Sequence, residues 1–182
     1  KTVGSAGGGK WGSGVYRARF FTVLGSKKLA LLGVSDVDPA SGTQIAAASD
    51  RAKLGAAISS ARSHANLVVC LVHWGVENSD KITDKQRELA RWLINHGVDL
   101  VVGSHPHCVQ PLDFYHGCPI AYSLGNLVFD GAPSVQSWNR GALLEVGLNE
   151  RAKISSASLI PIVLEDGLPR LEMNASSRFG TL

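Results

Sequence analysis

Three histidines have the types and spacing to do chemistry: His73, directly after the apolar run 67–72, and the His-x-His pair His105 and His107, directly after the apolar run 98–102. Neutral imidazoles ligate zinc, iron, manganese or nickel, and two on one short turn can reach one ion or bridge two. A His-x-His pair alone is more often two loop histidines bonded to backbone. The third imidazole changes the balance, because histidines at the ends of two neighbouring parallel strands converge on one edge of the sheet. Glu77, four residues past His73, reads either as a solvated loop carboxylate or as an orienter of imidazole and carrier of protons. Asn126, in Ser123-Leu124-Gly125-Asn126, could donate to a substrate oxygen or complete a turn, and Asp130 has the same two readings. Cys108 beside His107 could offer a thiolate, but a small buried side chain is the plainer role. His64, His96 and His116 fall at helix ends or in a turn and take solvent or capping roles.

Elements must place these residues. Residues 67–72 form a continuous apolar run of the kind buried on both faces of a sheet. The stretch 84–96 has Thr83 and Gln86 in capping-box register, with Leu89, Ala90, Leu93 and Ile94 on one face and Gly97 at its stop. The strand, helix, strand order over 67–102 predicts a parallel pair joined by a right-handed crossover, with both histidine-bearing ends on one edge. Upstream, residues 50–65 carry Leu54, Ala57, Ile58 and Ala61 at helical spacing behind a capping Asp50. The runs 15–24 and 29–34 suggest a hairpin through Gly25-Ser26, and further strands are predicted over 109–115, 119–124, 141–148 and 154–164. Residues 1–14, dominated by Gly and Ser, read as a loop or frayed terminus. A domain over 15–164 follows, and then a polar tail over 165–182.

Composition narrows the function classes. With 182 residues and 45% apolar content the chain can bury one sizeable core. The net charge of +3 arises from 18 basic and 15 acidic residues dispersed along the chain, without the basic stripe of a nucleic-acid groove, so nucleic acid is excluded as a partner. Three cysteines at irregular spacing form neither a disulfide framework nor a C-x-x-C pair, and leave the redox compartment open. No apolar run reaches the roughly 18 residues that span a bilayer. The start at Lys1, with Met173 the sole methionine, predicts a product or fragment of a longer protein. Gly7-Gly8-Gly9-Lys10 lacks the spacing of a phosphate loop, and Ser123-Leu124-Gly125-Asn126 is no nucleophile elbow.

His73-Trp74-Gly75-Val76-Glu77, Gln86 with Leu89-Ala90, and the run from Gly97 to His107 stand in an order that resembles the CapA family of poly-γ-glutamate capsule biosynthesis proteins. Val109-Gln110-Pro111 and the run from Ile120 to Asp130 continue the likeness. It is strong over 67–130 and looser over 28–35 and 141–163. Asn78, Thr83, Cys108 and Leu127 depart from the family's usual residues. The resemblance implies an α/β or α+β fold: a calcineurin-like metallophosphatase β-sandwich flanked by helices, with its N-terminal part missing. His73 would then be the histidine of the fourth metal motif and His105 and His107 the pair of the fifth. The early Gly-Asp, the following acidic residue and the Asn-Asn-His segment of such proteins find no match here.

The resemblance further implies two divalent transition-metal ions, of Mn, Fe or Zn type, in the complete protein. It implies a phosphoester or capsule-polymer partner and a place in the bacterial cell envelope or outside the cell, with the cytoplasm left open. Metal-dependent hydrolysis is the leading expectation, with Glu77 as proton carrier and Asn126 at the substrate. A non-catalytic capsule assembly or export component is the alternative, and a self-sufficient three-histidine mononuclear site is the weaker third. The 182-residue chain alone is expected to be inactive and to pair with the missing segment or with a second copy of itself.

Overall fold

The computed structural model describes residues 15–37, 46–129 and 136–172; the glycine-rich stretch 1–14, Asp130 and residues 173–182 of the expected tail lie outside them. Two strands, β1 (Arg19–Val23) and β2 (Lys27–Ser35), form the expected antiparallel hairpin. Leu24 and Gly25 both take positive φ in its turn, which suits the twist of a tight hairpin. The first strand begins at Arg19 rather than Val15, since residues 15 and 16 lie in a turn.

Helix α1 (Arg51–His64) is capped by Asp50, whose carboxylate accepts from the Lys53 amide at 3.1 Å, and it buries Leu54, Ile58 and Ala61 at one-face spacing. Strand β3 (Leu67–His73) pairs in parallel with β2 and with β4 (Leu100–Ser104). Helix α2 (Asp84–Asn95) lies between β3 and β4 in the chain and carries the anticipated capping box of Thr83 and Gln86. The β4 strand starts two residues later than the apolar pattern implies. Val98 closes the helix through its amide to the Leu93 carbonyl (3.1 Å), and Asp99 accepts from the Val68 amide (2.8 Å) and from Arg62.

β5 (Val109–Tyr115) and β6 (Cys118–Leu124) form a hairpin, and β6 inserts beside β4 in parallel. The resulting six-stranded mixed sheet runs β1-β2-β3-β4-β6-β5. A short 3-10 turn (Gln136–Asn139) leads into a second antiparallel sheet of β7 (Arg140–Leu148), β8 (Ile154–Glu165) and β9 (Leu168–Leu171). β9 corrects the polar-tail reading of residues 165–172: Asp166 and Gly167, both at positive φ, turn the chain back on itself.

The period of two along each strand divides the core. Ala30, Leu32, Val34, Val68, Cys70, Val72 and Val101 pack with Leu54, Ile58, Leu89 and Leu93 of the helices. Leu67, Val69 and Leu100 face the other way, towards Leu144, Val146 and Leu148 of the second sheet. Fully burying a valine, leucine or isoleucine side chain contributes about 1.5–3 kcal/mol. The layers are therefore helices, large sheet, small sheet, an α/β architecture in which β3 is covered on both faces as its unbroken apolar run requires. Burial pushes the Cys70 thiol up to about 12, so it is an inert core residue. A cavity of about 510 Å³ remains between the two sheets, lined by Leu29, Leu31, Val102, Leu127, Leu143 and their neighbours.

Candidate functional site

The register of the parallel pair places His73 directly beside Ser104, so that the loop beginning at His105 leaves the sheet next to His73. Trp74, fully buried, fixes this edge. Its amide donates to the Ser104 carbonyl (3.1 Å) and its indole N–H to the Tyr122 carbonyl (2.7 Å), and its ring stacks on Tyr122 at 5.7 Å. One side chain thus ties the ends of β3, β4 and β6. Gly103 makes the close approach possible, because a Cβ there would overlap the Tyr122 carbonyl oxygen and the Trp74 indole nitrogen.

His73 and His105 stand with ring centroids 4.5 Å apart. The packed strand edge beneath His73 holds its pKa below the ordinary histidine range, and the neighbouring imidazoles of His105 and His107 push it the same way. The shift favours the neutral ring, the form in which an imidazole ligates a metal. Its Nδ1 lies 3.4 Å from the Ser104 hydroxyl. His105 and His107 both adopt positive φ, 101° and 58°, on either side of buried Pro106. Left-handed conformations at two non-glycine residues in one short loop store strain of the kind found at functional sites.

His107 looks elsewhere. Its Nδ1 is 2.8 Å from Asn126 Oδ1, its Nε2 is 3.8 Å from Glu77 Oε1, and its ring stacks on Trp138 at 5.0 Å with Phe129 at 5.5 Å. The Asn78 amide donates to the Pro106 carbonyl (2.8 Å), and the Trp138 indole donates to Asn78 Oδ1, joining the loop that carries Glu77 to the loop that carries the histidines. Behind that loop, Gln86 and Gln110 are buried and bonded to each other at 2.9 Å, and Gln110 donates to the Ser79 and Lys81 carbonyls.

The structure thus brings His73 and His105 into ring contact and sets His107 against Glu77 and Asn126. The full convergence expected of three imidazoles is only partly met: among the described residues no three His, Cys, Asp or Glu side chains are disposed to hold a metal ion as they stand. The donor types nevertheless suit a divalent transition metal, with two imidazoles in ring contact and an exposed carboxylate nearby. The side-chain amide N–H of Asn126 donates to the Trp138 carbonyl at 3.0 Å. Cys108 is the buried small side chain expected. His64 and His96 bond back to the Ser60 and Trp92 carbonyls of their own helices. Gln86 is legible as a capping residue, but the pairing of Gln86 with Gln110 and the contacts of Ser104 and Trp138 carry no spacing signal. Only Trp138's isolation as an aromatic in a polar stretch could have drawn notice.

Residues 2–131 match the family described as Bacterial capsule synthesis protein PGA_cap. A PGA biosynthesis protein CapA of Bacillus subtilis (strain 168) is 39% identical over 115 residues, covering 62% of this chain and 29% of the relative. A capsule biosynthesis protein CapA of Bacillus anthracis is 36% identical over 112 residues, covering 60% of this chain and 26% of the relative. A probable polyglutamine synthesis accessory protein of Mycobacterium tuberculosis (strain ATCC 25618 / H37Rv) is 28% identical over 102 residues, covering 53% of this chain and 27% of that protein. The chain therefore spans less than a third of the length of these curated relatives. No helix among the described residues is long and apolar enough to cross a membrane.

Proposed function

We propose, from the premise that this chain belongs to the bacterial capsule synthesis family PGA_cap, that it forms part of a metal-dependent hydrolase acting on a phosphoester or related bond in poly-γ-glutamate capsule biosynthesis. The observation that carries the reading is the placement of His73 and His105, 4.5 Å apart, with His107 on the same loop, at the carboxyl edge of adjacent parallel strands. The layered sheets with helices on one outer face support a calcineurin-like assignment, and the relatives' names support a cell-envelope or extracellular setting with a capsule polymer as partner.

His73, His105 and His107 would hold one or two ions of Mn, Fe or Zn type, with further ligands from outside the described residues. Such an ion, when bound, supplies Lewis-acid polarisation and a water of lowered pKa. The chain's own residues do the rest. The neutral His73 ring keeps its lone pair free of a proton at physiological pH. The strained loop carries His105 beside His73 and His107 beside Glu77. Glu77 Oε1, exposed and 3.8 Å from His107 Nε2, is placed to accept a proton from an attacking water or to return one to a leaving oxygen. The open apolar cavity between the sheets is read as surface that further chain or a second copy covers.

The test is turnover of a generic phosphodiester by the full-length protein, stripped with chelator and reloaded with Mn²⁺, Fe²⁺ or Zn²⁺. Glu77→Gln, which keeps the shape and removes the base, should lower turnover by about a hundredfold while leaving metal content unchanged. One observation favours a second reading, a non-catalytic capsule assembly component: no ready three-ligand group exists among the described residues. Absence of turnover with every metal would decide for it.

A further inference from the structure

We propose that Asn126 is a positioning residue for His107, holding the imidazole as its Nδ1–H tautomer and so presenting the Nε2 lone pair towards Glu77. The two ends of the Asn126 amide have different neighbours. Its Nδ2 donates to the Trp138 carbonyl at 3.0 Å, a group that can only accept, so Oδ1 is the end that meets His107 Nδ1 at 2.8 Å. A carbonyl oxygen has no proton to give, and the proton in that bond therefore sits on Nδ1. In the neutral ring Nε2 is then left with the lone pair.

That lone pair lies 3.8 Å from Glu77 Oε1. Glu77 is more than half exposed, so water separates and screens the two acceptors across that gap in the metal-free protein. The arrangement is held from behind. Trp138 stacks on the His107 ring with an interplanar angle of 28°, and Phe129 stands edge-on to Trp138. Asn126 is itself buried, its amide donating to the Arg140 carbonyl at 3.3 Å. Gly141 leaves room for it, since a Cβ there would overlap the Asn126 carbonyl oxygen. The ring, its tautomer and its open nitrogen are thus set by residues from the segments around 78, 107, 126 and 138. The use of the lone pair as a metal ligand rests on the function proposed above. The tautomer does not.

The experiment is a nitrogen spectrum of the full-length protein labelled with ¹⁵N-histidine, recorded with chelator at about pH 8, where an ordinary imidazole is neutral, with His107 assigned by its loss in His107→Asn. The expected wild-type signature is a protonated Nδ1 and an unprotonated Nε2. Asn126→Leu, similar in shape but without an acceptor, should shift His107 to the Nε2–H form that an unconstrained histidine favours. Asn126→Asp, which keeps an acceptor oxygen, should retain Nδ1–H. An Nε2–H signature or a doubly protonated ring in the wild type would overturn the assignment, as would an unchanged Nδ1–H signature in folded Asn126→Leu. Where the leucine variant does not fold, the wild-type and Asn126→Asp spectra decide by the same criteria. An intact Nδ1–H signature in a protein that binds no metal would sink the metal reading alone, whereas Nε2–H in a metal-binding protein would sink only the role given to Asn126.

Discussion

His73 is the residue on which the proposed metal site turns, because a ligand must be neutral and a strand-end histidine is free to titrate unless its surroundings prevent it. Here burial against the strand edge is the larger cause and the two neighbouring imidazoles the smaller, and all three lower its pKa from the ordinary 6.5. The unfolded chain therefore binds this proton more readily than the folded one. Stability linked to His73 is fully present above pH 6.5 and is lost as pH falls through the lowered folded value. A titration of the metal-free protein followed by histidine ring resonances should place the His73 midpoint below 6.5, and His73→Asn should flatten the acid limb of the stability curve. A midpoint at or above that value would mean the ring is not held neutral.

At the scale of the elements, three strand ends are joined by a single tryptophan, and the joint tolerates no Cβ at Gly103. Gly103→Ala should cost about 1–3 kcal/mol or more, since backbone and a buried indole must both move. Gly55→Ala, in helix α1 with only ordinary contacts at 3.8 and 3.9 Å, should instead be neutral or stabilise by about 0.5–1 kcal/mol. Denaturant unfolding of the two variants checks both signs, and equal stability of the pair would remove the close-approach argument. Both helices, the parallel pair and the hairpins were legible in the sequence, because each rests on a local signal: the capping box at Thr83, the unbroken apolar run of β3, the turn at Gly25. The histidine edge was legible for the same reason, as it follows directly from where two apolar runs stop. The partners of those histidines were not. Trp138 and Asn126 reach His107 across 31 and 19 residues of sequence, a pairing set by how the second sheet folds back. The strand β9 was missed because its four residues are all exposed and so carry no apolar alternation.

For the whole molecule, the chain presents one edge bearing histidines and a carboxylate, and an apolar cavity of about 510 Å³ between sheets that meet only in part. It spans 29% and 26% of two Bacillus relatives, and under the function proposed above it carries the imidazole side of the site. The proposed metal centre rests on His73, His105 and His107 and needs ligands beyond these, since no three-ligand group stands among the described residues, and it is open to one direct measurement. The measurement is elemental analysis of the full-length protein after loading with Mn²⁺, Fe²⁺ or Zn²⁺ and exhaustive dialysis, set against His73→Ala, His105→Ala and the exposed control His64→Ala. The expected result is at least one tightly held transition-metal ion per chain in the wild type and in His64→Ala, with occupancy falling by half or more in the His73 and His105 variants while their folding is preserved. Equal metal content in all four proteins, or none in any, would contradict a metal centre at this edge.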